Sequence, residues 1–369
     1  MKILYLVTKS EAGGAQTHVY QLSRYFVNKG NQVAIMASPG GWLQEQAKKI
    51  GVNFMPNVFF SNTLNPIGVV KAFFKIKRAI NCFKPDIVHC HSSVAGFLGR
   101  LAVRNKIPTI FTAHGWGFNL GVPWWQKKVA IVAEKMASRY CCQIVCVCDF
   151  VKQLALKYKV AREDKTVVIY NGIEPVGAEQ PSHKSGKFKI VFIGRLAKPK
   201  LPILLLEAFN DLPTELKDQS ELLIIGDGPQ KESLEQFSNQ KNLKQVQLAG
   251  DLSREEIFAT LQQSNIFVFL SQWEGLPYTI LEAMRAGLPV IASDVGGVKE
   301  MVSQRNGILI KDNKKEVVTR ALRILLEDRQ MIEVMGKQSI TSINEKFALN
   351  QMLKKVEILY NRFVSGFLD

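Results

Sequence analysis

Short apolar runs recur along the whole chain, and the stretches between them have apolar residues at helical spacing. The runs fall at residues 2–7, 33–37, 86–91, 108–113, 143–148 and 167–170, and again at 189–193, 221–225, 246–248, 266–270, 289–293 and 307–310. Runs of this length are typical of strands that are buried on both faces of a parallel sheet. Because strands and helices alternate in both halves, the pattern predicts an α/β protein with two doubly wound parallel sheets.

A segment rich in proline and glycine separates the two halves. Residues 174–187 contain two prolines and two glycines, a composition typical of linkers. At 369 residues the chain is too long for one ordinary core, so we expect two domains. We place the first domain at 1–173 and the second at 188–347, and we expect a terminal helix within 348–369.

The positive charge is concentrated in the first half. The net charge is +16, and residues 1–175 hold 23 Lys and Arg against only 8 Asp and Glu. This one-sided basicity predicts a polyanionic partner, which could be an anionic membrane, a nucleic acid or a charged substrate. Because the sequence has no recognition-helix motif and no aromatic RNA-binding signature, we do not expect nucleic acid to be the partner.

Two segments of the basic half combine cations with aromatic residues. The predicted helix at 66–84 is either a packed helix with a lysine-rich outer face or a contact with an anionic membrane surface. Its cations and aromatics are Lys71, Lys75, Lys77, Arg78, Phe73 and Phe74. Trp124 and Trp125 lie beside Lys127 and Lys128, a composition typical of membrane interfaces, although one tryptophan could equally pack in the core.

The remaining signals point to the cytoplasm and give no metal site. Residues 1–7 resemble a strand rather than a secretory signal, and no apolar run reaches the length of a membrane span. Four of the six cysteines crowd into 141–148 at spacings unlike those of zinc sites, so we expect buried, reduced thiols. His89 and His91 at a strand end suggest packing or support of a nearby site rather than metal binding.

The run at 266–270 leads into a turn and a short helix. Gly275 and Pro277 make the turn, and Pro277 is expected at the first helical position, where its missing N–H costs nothing. The helix is predicted over 278–285, ending before Gly287. A strand end, a glycine turn and a helix N-terminus therefore converge at this point.

Two glutamates accompany that helix N-terminus. Glu274 lies on the turn and Glu282 lies behind the first helical turn. The N–H groups that begin a helix bind phosphate, and carboxylates accept hydrogen bonds from hydroxyl groups. A ligand with phosphate and many hydroxyls is a nucleotide sugar. Glutamate in or before a helix is ordinarily a solvated helix former, so this interpretation depends on the rest of the chain.

The first half offers two further candidates at strand ends. Gly13 and Gly14 follow the first strand and precede a helix, which is a loop suited to phosphate. The strand at 33–37 ends without the acidic residue that binds ribose in nicotinamide-binding domains, so we do not expect that class of enzyme. His114 follows the strand at 108–113 and should face the ligand crevice of the sheet.

With these residues in order, the chain resembles the retaining GT-B glycosyltransferases of family 4. The resemblance covers essentially the whole chain and implies two Rossmann-like domains that face a deep cleft, with the final helix crossing back to the first domain. The motifs that carry it are Gly13-Gly14, His114, Asn171-Gly172, Gly194-Arg195 with Lys200, Gly226-Asp227-Gly228-Pro229, and Glu274 with Glu282 seven residues further on, together with Gly275 and Pro277.

The resemblance implies a phosphate-binding set. Arg195 and Lys200 would hold the diphosphate and neutralise the leaving nucleotide. The backbone N–H groups of Tyr278 and Thr279, and that of Gly14, would add donors. No metal or other cofactor is expected, because the two cations would take the place of a metal.

The resemblance also implies a sugar-binding set. Glu282 would accept from the ribose hydroxyls, Glu274 would bind hydroxyls of the donor sugar, and His114 would lie near the reacting sugar and the acceptor. The implied catalytic residues are His114, Arg195, Lys200 and Glu274, and the implied donor-binding residues are Gly13, Gly14, Arg195, Lys200, Gly228, Glu274, Gly275, Tyr278, Thr279 and Glu282. Loop 196–202 departs from the family pattern, in which a glycine commonly follows the lysine, so both Lys198 and Lys200 stay candidates for the diphosphate contact.

Within the family, the segment around His114 resembles bacterial transferases that build exopolysaccharide, capsule or O-antigen on a polyprenyl-diphosphate carrier. The resemblance implies a UDP-sugar donor, a lipid-linked glycan acceptor and a peripheral position on the cytoplasmic face of the plasma membrane. The alternative is a nucleotide-sugar epimerase or a phosphorylase of the same fold. The cation pair and the spaced glutamates favour transfer over that alternative.

Overall fold

The protein folds into two compact units. The structure is a computed structural model that describes residues 1–60, 65–119, 122–175 and 186–366. Unit 1 comprises Met1–Asn171 and Met352–Asp369 as far as they are described, and unit 2 comprises Gly172–Gln351. Most of the expected linker, residues 176–185, lies outside the described residues.

Unit 1 is built on a parallel sheet of seven strands within its described residues. They lie in the order β3-β2-β1-β4-β5-β6-β7, and every neighbouring pair is parallel. The strands are β1 (Lys2–Leu6), β2 (Gln32–Ala37), β3 (Asn53–Pro56), β4 (Ile87–His91), β5 (Thr109–Ala113), β6 (Gln143–Cys146) and β7 (Thr166–Val168). The helices are α1 (Gly14–Asn28), α2 (Gly41–Lys49), α3 (Pro66–Phe83), α4 (Ser93–Val103), α5 (Trp124–Ala137) and α6 (Asp149–Lys157).

Unit 2 repeats this plan with six parallel strands in its described residues. Their order is β10-β9-β8-β11-β12-β13. The strands are β8 (Phe188–Ile193), β9 (Ser220–Ile225), β10 (Val246–Gly250), β11 (Ile266–Phe269), β12 (Val290–Ser293) and β13 (Gly307–Ile310). The helices are α7 (Pro202–Asn210), α8 (Thr214–Asp218), α9 (Lys231–Gln240), α10 (Arg254–Gln262), α11 (Tyr278–Arg285), α12 (Lys315–Leu326) and α13 (Arg329–Lys346).

Two parallel-sheet α/β units confirm the predicted fold class. The strand order reverses at the β1–β4 pair in unit 1 and at the β8–β11 pair in unit 2. Ligands of open α/β sheets bind outside the carboxyl ends of the strands at such a reversal. Each sheet therefore has one edge where functional residues are expected.

Among the strands of the described structure, β3 is the one that the apolar pattern did not predict. Asn53–Pro56 lies at the edge of the sheet, and none of its four residues is fully buried. A short edge strand carries a polar residue and a proline without penalty, because one side of it needs no hydrogen-bond partner. It therefore leaves no continuous apolar run in the sequence.

The last helix, α14 (Leu349–Ser365), packs into unit 1 from Met352 onwards. Tyr360 stacks on Phe26 at 4.8 Å between ring centroids and donates a hydrogen bond to Tyr5 at 3.2 Å. Glu357 accepts hydrogen bonds from Lys29 at 2.6 Å and Tyr25 at 2.8 Å. These contacts seal one side of the unit 1 core with residues that are distant in sequence.

The aromatic residues of the basic half lie largely in solvent. Trp124 is 71% exposed and Trp125 is 55% exposed, so the alternative in which one of them packs in the core is wrong. On α3, Phe74 is 62% exposed and Phe73 is half-buried. None of the described helices is both long enough and apolar enough to cross a membrane.

A buried ion pair fastens α5 to the rest of unit 1. The guanidinium of Arg100 on α4 donates to the Glu134 carboxylate on α5 at 2.7 Å and to the Gly96 carbonyl at 2.8 Å, and it lies 4.0 Å above the ring of Phe111. The Arg100 side chain has no solvent exposure and that of Glu134 has 8%. Only Glu134 and Ala137 of this helix are buried, so the ion pair is its main anchor.

Substitution of the anchor should destabilise unit 1. Glu134→Ala leaves the Arg100 charge buried without a counterion, and we expect the free energy of unfolding to fall by about 3–5 kcal/mol. Urea unfolding followed by tryptophan fluorescence reports this, since four of the five tryptophans lie in unit 1. Glu163→Ala is the matched control and should change little, because Glu163 is 79% exposed in its ion pair with Lys152. Equal effects of the two substitutions would contradict the anchoring role.

Candidate active site

Two glycine turns are in close backbone contact at the carboxyl edge of the unit 2 sheet. The backbone of Gly226, after β9, lies so close to Gly194, after β8, that a Cβ on Gly226 would clash with the Gly194 carbonyl oxygen. Gly226 also has φ +129°, which favours glycine. The Leu196 N–H donates to the Asp227 carbonyl at 2.8 Å. This contact fixes the turn that carries Arg195, whose side chain is exposed.

A second pair of turns fixes the backbone of Glu274. Gly296, after β12, has φ +59°, and a Cβ on it would clash with the Glu274 carbonyl oxygen. The Gly297 N–H donates to the Gly275 carbonyl at 3.0 Å. The position of the Glu274 side chain therefore depends on a glycine that lies 22 residues further along the chain.

Lys200 and Glu274 form a largely buried ion pair. The Lys200 Nζ lies 2.5 Å from Glu274 Oε1, and the two side chains are 15% and 17% exposed. The Ser271 hydroxyl donates to the same carboxylate oxygen at 2.8 Å, and the ammonium lies 3.9 Å from the centre of the Phe269 ring. Burial lowers the pKa of Lys200, and the carboxylate opposes that shift only in part.

The backbone selects Lys200 rather than Lys198 for this position. An isolated antiparallel bridge joins Lys200 to Ser271, and the Gln272 N–H donates to the Pro199 carbonyl at 2.9 Å. Lys198 is exposed. Of the two lysines that the sequence leaves open, the structure brings Lys200 to Glu274.

Two polar side chains, Ser293 and Asn313, hold the backbone of Ser271 in this loop, and sequence reasoning missed them. The Ser271 N–H donates to the Ser293 hydroxyl at 3.0 Å, and that hydroxyl donates to Asn313 Oδ1 at 2.6 Å. Asn313 Nδ2 in turn donates to the Ser271 carbonyl at 3.1 Å. The available signal was positional, because Ser271 and Asn313 follow β11 and β13, and Ser293 ends the strand β12 that lies between them.

Helix α11 spans the predicted range, Tyr278–Arg285, but its proline lies outside it. Pro277 is the residue before the helix, with ψ 129°, so its expected place at the first helical position is wrong. Proline lacks a side-chain oxygen, and in the described structure no side chain caps this helix. Tyr278 and Thr279 therefore begin α11 as predicted, with their N–H groups in its first turn.

Glu282 lies one turn into α11 in a desolvated setting. Burial raises the pKa of its carboxyl group, and the positive charges of Arg254 and Arg285 offset this shift only in part. Burial also raises the pKa of the neighbouring Tyr278 hydroxyl. A carboxylate in such a place is stabilised by hydrogen bonds from a ligand.

Unit 1 gathers four of the five histidines into one cluster. His114, after β5, is half-buried, and its Nε2 lies 3.2 Å from the Nδ1 of His91 on β4. His18 on α1 meets the His114 ring edge-on at 5.1 Å and lies 3.2 Å from Asn171 Oδ1. Burial lowers the pKa of all four, His89 included, so the cluster is neutral near pH 7.

The predicted residues thus divide between the two units. Unit 1 holds Gly13 and Gly14 at the start of α1, with His114 at the end of β5. Unit 2 holds Arg195, Lys200, Gly228, Glu274, Gly275, Tyr278, Thr279 and Glu282 on its carboxyl-edge loops and on α11. The pattern for His89 and His91 predicted packing or support rather than metal, and both are fully buried.

Two family models cover nearly the whole chain. The model described as Glycosyltransferase Family 4 matches residues 12–176, and the model described as Glycosyl transferases group 1 matches residues 177–341. Together with the two parallel-sheet units, these matches define a glycosyltransferase of the GT-B fold. The chain belongs to the group 1 glycosyl transferases.

Two relatives from Escherichia coli are similar over most of their length. The O-antigen biosynthesis glycosyltransferase WbnH is 29% identical over 322 residues, which cover 85% of this chain and 87% of the relative. The UDP-Gal:alpha-D-GlcNAc-diphosphoundecaprenol alpha-1,3-galactosyltransferase is 29% identical over 308 residues, or 79% of each chain. The alternative of an epimerase or a phosphorylase finds no support among these relatives.

Solved structures agree on the fold. Anabaena Alr3699/HepE, in complex with UDP-glucose, superposes with a TM-score of 0.83 at 18% identity, covering 98% of this chain and all of the other. WaaG, a glycosyltransferase involved in lipopolysaccharide biosynthesis, gives a TM-score of 0.77 at 14% identity and covers 97% of this chain and 99% of its own. At these identities the likeness concerns the fold alone.

The ion pair makes a prediction about Lys200 in solution. Glu274→Gln removes the carboxylate that raises the pKa of Lys200, so that pKa should fall further and more of the amine should be neutral at pH 8. Competitive labelling with an amine-reactive reagent, read by mass spectrometry, should therefore show faster modification of Lys200. Lys198, exposed and two residues away, is the internal control. An unchanged ratio of Lys200 to Lys198 labelling would contradict the pair.

Proposed function

We propose that this protein transfers a sugar from a UDP-sugar to a polyprenyl-diphosphate-linked glycan, with retention of anomeric configuration, in cell-surface polysaccharide assembly. The observation that carries this proposal is the Lys200–Glu274 pair at the carboxyl edge of the unit 2 sheet. It joins a cation suited to a diphosphate with a carboxylate suited to sugar hydroxyls. The names of the E. coli relatives, which include an O-antigen enzyme and a transferase acting on UDP-Gal and a diphosphoundecaprenol, support it.

The donor diphosphate would compete with Glu274 for Lys200. Lys200 is held by burial and by its contact with Phe269, so it stays in place while the phosphate replaces the carboxylate as its partner. Glu274 is then available to accept from a hydroxyl of the sugar. Arg195, exposed on the adjacent turn, adds a second cation. Fixed cations stabilise the charge that develops as a diphosphate leaves.

Helix α11 would hold the rest of the nucleotide. The N–H groups of its first turn, at Tyr278 and Thr279, suit phosphate oxygens. Glu282 would accept from the ribose hydroxyls. Gly228 and Gly275 allow backbone to approach the ligand where a side chain would block it, and Gly13 and Gly14 would do the same in unit 1.

Retention would follow from front-face displacement. The acceptor hydroxyl attacks the anomeric carbon on the side from which the diphosphate departs, and the leaving phosphate oxygen takes the hydroxyl proton. The two side-chain cations would do the work of a metal ion. Transfer is therefore expected to proceed without added metal.

Removal of Glu282 tests donor recognition. Glu282→Ala should weaken UDP and UDP-sugar binding together, by about 1–3 kcal/mol, because the ribose hydroxyls lose a buried acceptor. Isothermal titration measures both affinities, after a thermal-shift screen of nucleotide sugars has identified the donor.

Glu235→Ala is the matched control for that experiment. Glu235 is an exposed helical glutamate of the same unit and should leave both affinities unchanged. Unchanged UDP affinity in Glu282→Ala would show that this residue does not bind the ribose.

The metal-free mechanism is tested by assaying transfer to a polyprenyl-diphosphate-linked acceptor in EDTA. Transfer that requires a restored divalent ion would contradict that mechanism.

The helices α3, α4 and α5 form a layer of unit 1 that suits an anionic membrane. α4 packs between the other two, and the single acidic residue of the three helices is Glu134, which is buried against Arg100. Apart from the buried Arg100, the cations on this layer are Lys71, Lys75, Lys77, Arg78, Lys127, Lys128 and Lys135. Its solvent face therefore carries positive charge alone.

Exposed apolar side chains accompany those charges. Trp125, Val129, Val132 and Met136 recur at helical spacing on α5, and each is at least 50% exposed. On α3, Phe74 and its half-buried neighbour Phe73 lie among the lysines. Basic helices with exposed aromatics lie in the interface of anionic bilayers, and each nearby lysine contributes about 1 kcal/mol. We propose that this layer is the peripheral contact with the cytoplasmic leaflet that anchors the acceptor.

Vesicle co-sedimentation tests this contact. Changing Lys71, Lys75, Lys77 and Arg78 to Gln should reduce binding to anionic vesicles, and binding of the unaltered protein should rise with anionic lipid and fall with salt. The control changes four exposed lysines of unit 2 to Gln, namely Lys241, Lys244, Lys299 and Lys337. Both variants should bind UDP normally. Equal binding to neutral and anionic vesicles, or equal loss in both variants, would exclude α3 as the contact.

A further inference from the structure

His91 lies in the centre of the unit 1 histidine cluster and contacts His114 directly. Its Nδ1 is 3.2 Å from His114 Nε2, and the ring centroids are 5.4 Å apart with 29° between the ring planes. His91 has no solvent exposure. Its other nitrogen, Nε2, is buried and has no hydrogen-bond partner within the described part of the chain.

The unpartnered nitrogen decides which histidine donates. A neutral imidazole has one N–H donor and one lone pair, so the contact needs a donor on one ring and an acceptor on the other. If His114 donated from Nε2, the N–H of His91 would sit on its buried Nε2 without an acceptor. If His91 donates from Nδ1, only a lone pair is left unused there. Buried N–H groups without acceptors are the rarer and costlier case, so His91 is the donor.

The neighbouring His89 satisfies both of its nitrogens elsewhere. Its Nδ1 lies 2.5 Å from the Tyr360 hydroxyl, which donates onward to Tyr5, so Nδ1 carries the proton. Its Nε2 lies 2.7 Å from the Thr112 hydroxyl and accepts from it. His89 is therefore fixed by its own partners. Of these two histidines, His91 is the one that hydrogen-bonds to His114.

We propose that His91 is a positioning residue that holds His114 in the tautomer with its proton on Nδ1. The proposal rests on the proposed function only in placing His114 beside the reacting sugar. In this tautomer the lone pair on Nε2 is occupied by His91, and the group offered to a ligand is the N–H donor at Nδ1. His114 thus binds an oxygen of the substrate and cannot receive its proton.

This assignment sets the route of the proton in transfer. The bond between the anomeric carbon and the diphosphate oxygen breaks, and the bond to the acceptor oxygen forms. The acceptor hydroxyl loses its proton, and His114 has no available lone pair to take it. His114 is therefore excluded as the base, in agreement with the proposed transfer of the proton to the leaving phosphate oxygen, with which the nucleotide departs.

The first test reads the tautomer of the unaltered protein. The sequence holds five histidines, so long-range proton–nitrogen NMR of histidine-labelled protein gives few signals, and each can be assigned by substitution. We expect His91 and His114 both to carry the proton on Nδ1. A proton on Nε2 of His114 would overturn the proposal, whatever the enzymatic activity.

The second test changes the donor. His91→Phe removes the N–H and should leave His114 in a mixture of tautomers, with kcat lower by up to about a hundred-fold and the donor KM little changed. His91→Gln, whose amide can donate to the same nitrogen, should restore the tautomer and most of kcat. His89→Phe is the matched control, which removes a buried histidine of the same cluster and should keep the His114 signal intact.

The outcomes separate this proposal from the proposed function. An unchanged His114 signal in His91→Phe, or the same loss of signal in His89→Phe, would show that His91 only packs, and would overturn the proposal. A confirmed tautomer in a protein with no sugar transfer would leave the positioning role standing and reject the function.

Discussion

Every strand in each sheet points the same way, and this single constraint places the chemistry of the molecule. Parallel strands must be joined by helical crossovers, so each loop that follows a strand emerges at the same edge of its sheet. In unit 2 that edge collects the turns after β8, β9, β11 and β12 and brings Lys200 to Glu274 across 74 residues of sequence. In unit 1 it sets His91 beside His114 at the ends of the neighbouring strands β4 and β5.

The sequence predicted what is local and left open what depends on packing. Strands that are buried on both faces consist of continuous apolar residues, so the apolar runs predicted them. Strand β3 was not predicted, because it is a half-exposed edge strand without such a run. Glu274 and Glu282 could be recognised since their strand, turn and helix are contiguous. The contact between Lys200 and Glu274 could not be recognised, because it forms only when the loop that carries Lys200 folds back to pair with Ser271. His18 was not singled out, since nothing near it in sequence marks a place beside His114.

The two units treat their ionisable groups in opposite ways. Unit 2 keeps a lysine and a carboxylate in contact in a desolvated setting, and such a pair is favourable only when each charge has a counterion or a ligand. Unit 1 instead keeps its four described histidines as neutral rings. In the described structure its buried ion pair, Arg100 with Glu134, has a structural role. It anchors α5, in which only Glu134 and Ala137 are buried.

The return of α14 to unit 1 has a consequence for biosynthesis. Residues 172–351 belong to unit 2, so the ribosome synthesises the whole of that unit before it reaches Tyr360. At about 5–20 residues per second this interval lasts roughly 10–40 s. During it the side of unit 1 that Tyr360 later covers, with His89 and Phe26, remains open to water and to other nascent chains. Unit 2 can complete its core first, although it lies second in the sequence, and unit 1 is a natural client for a chaperone until α14 arrives.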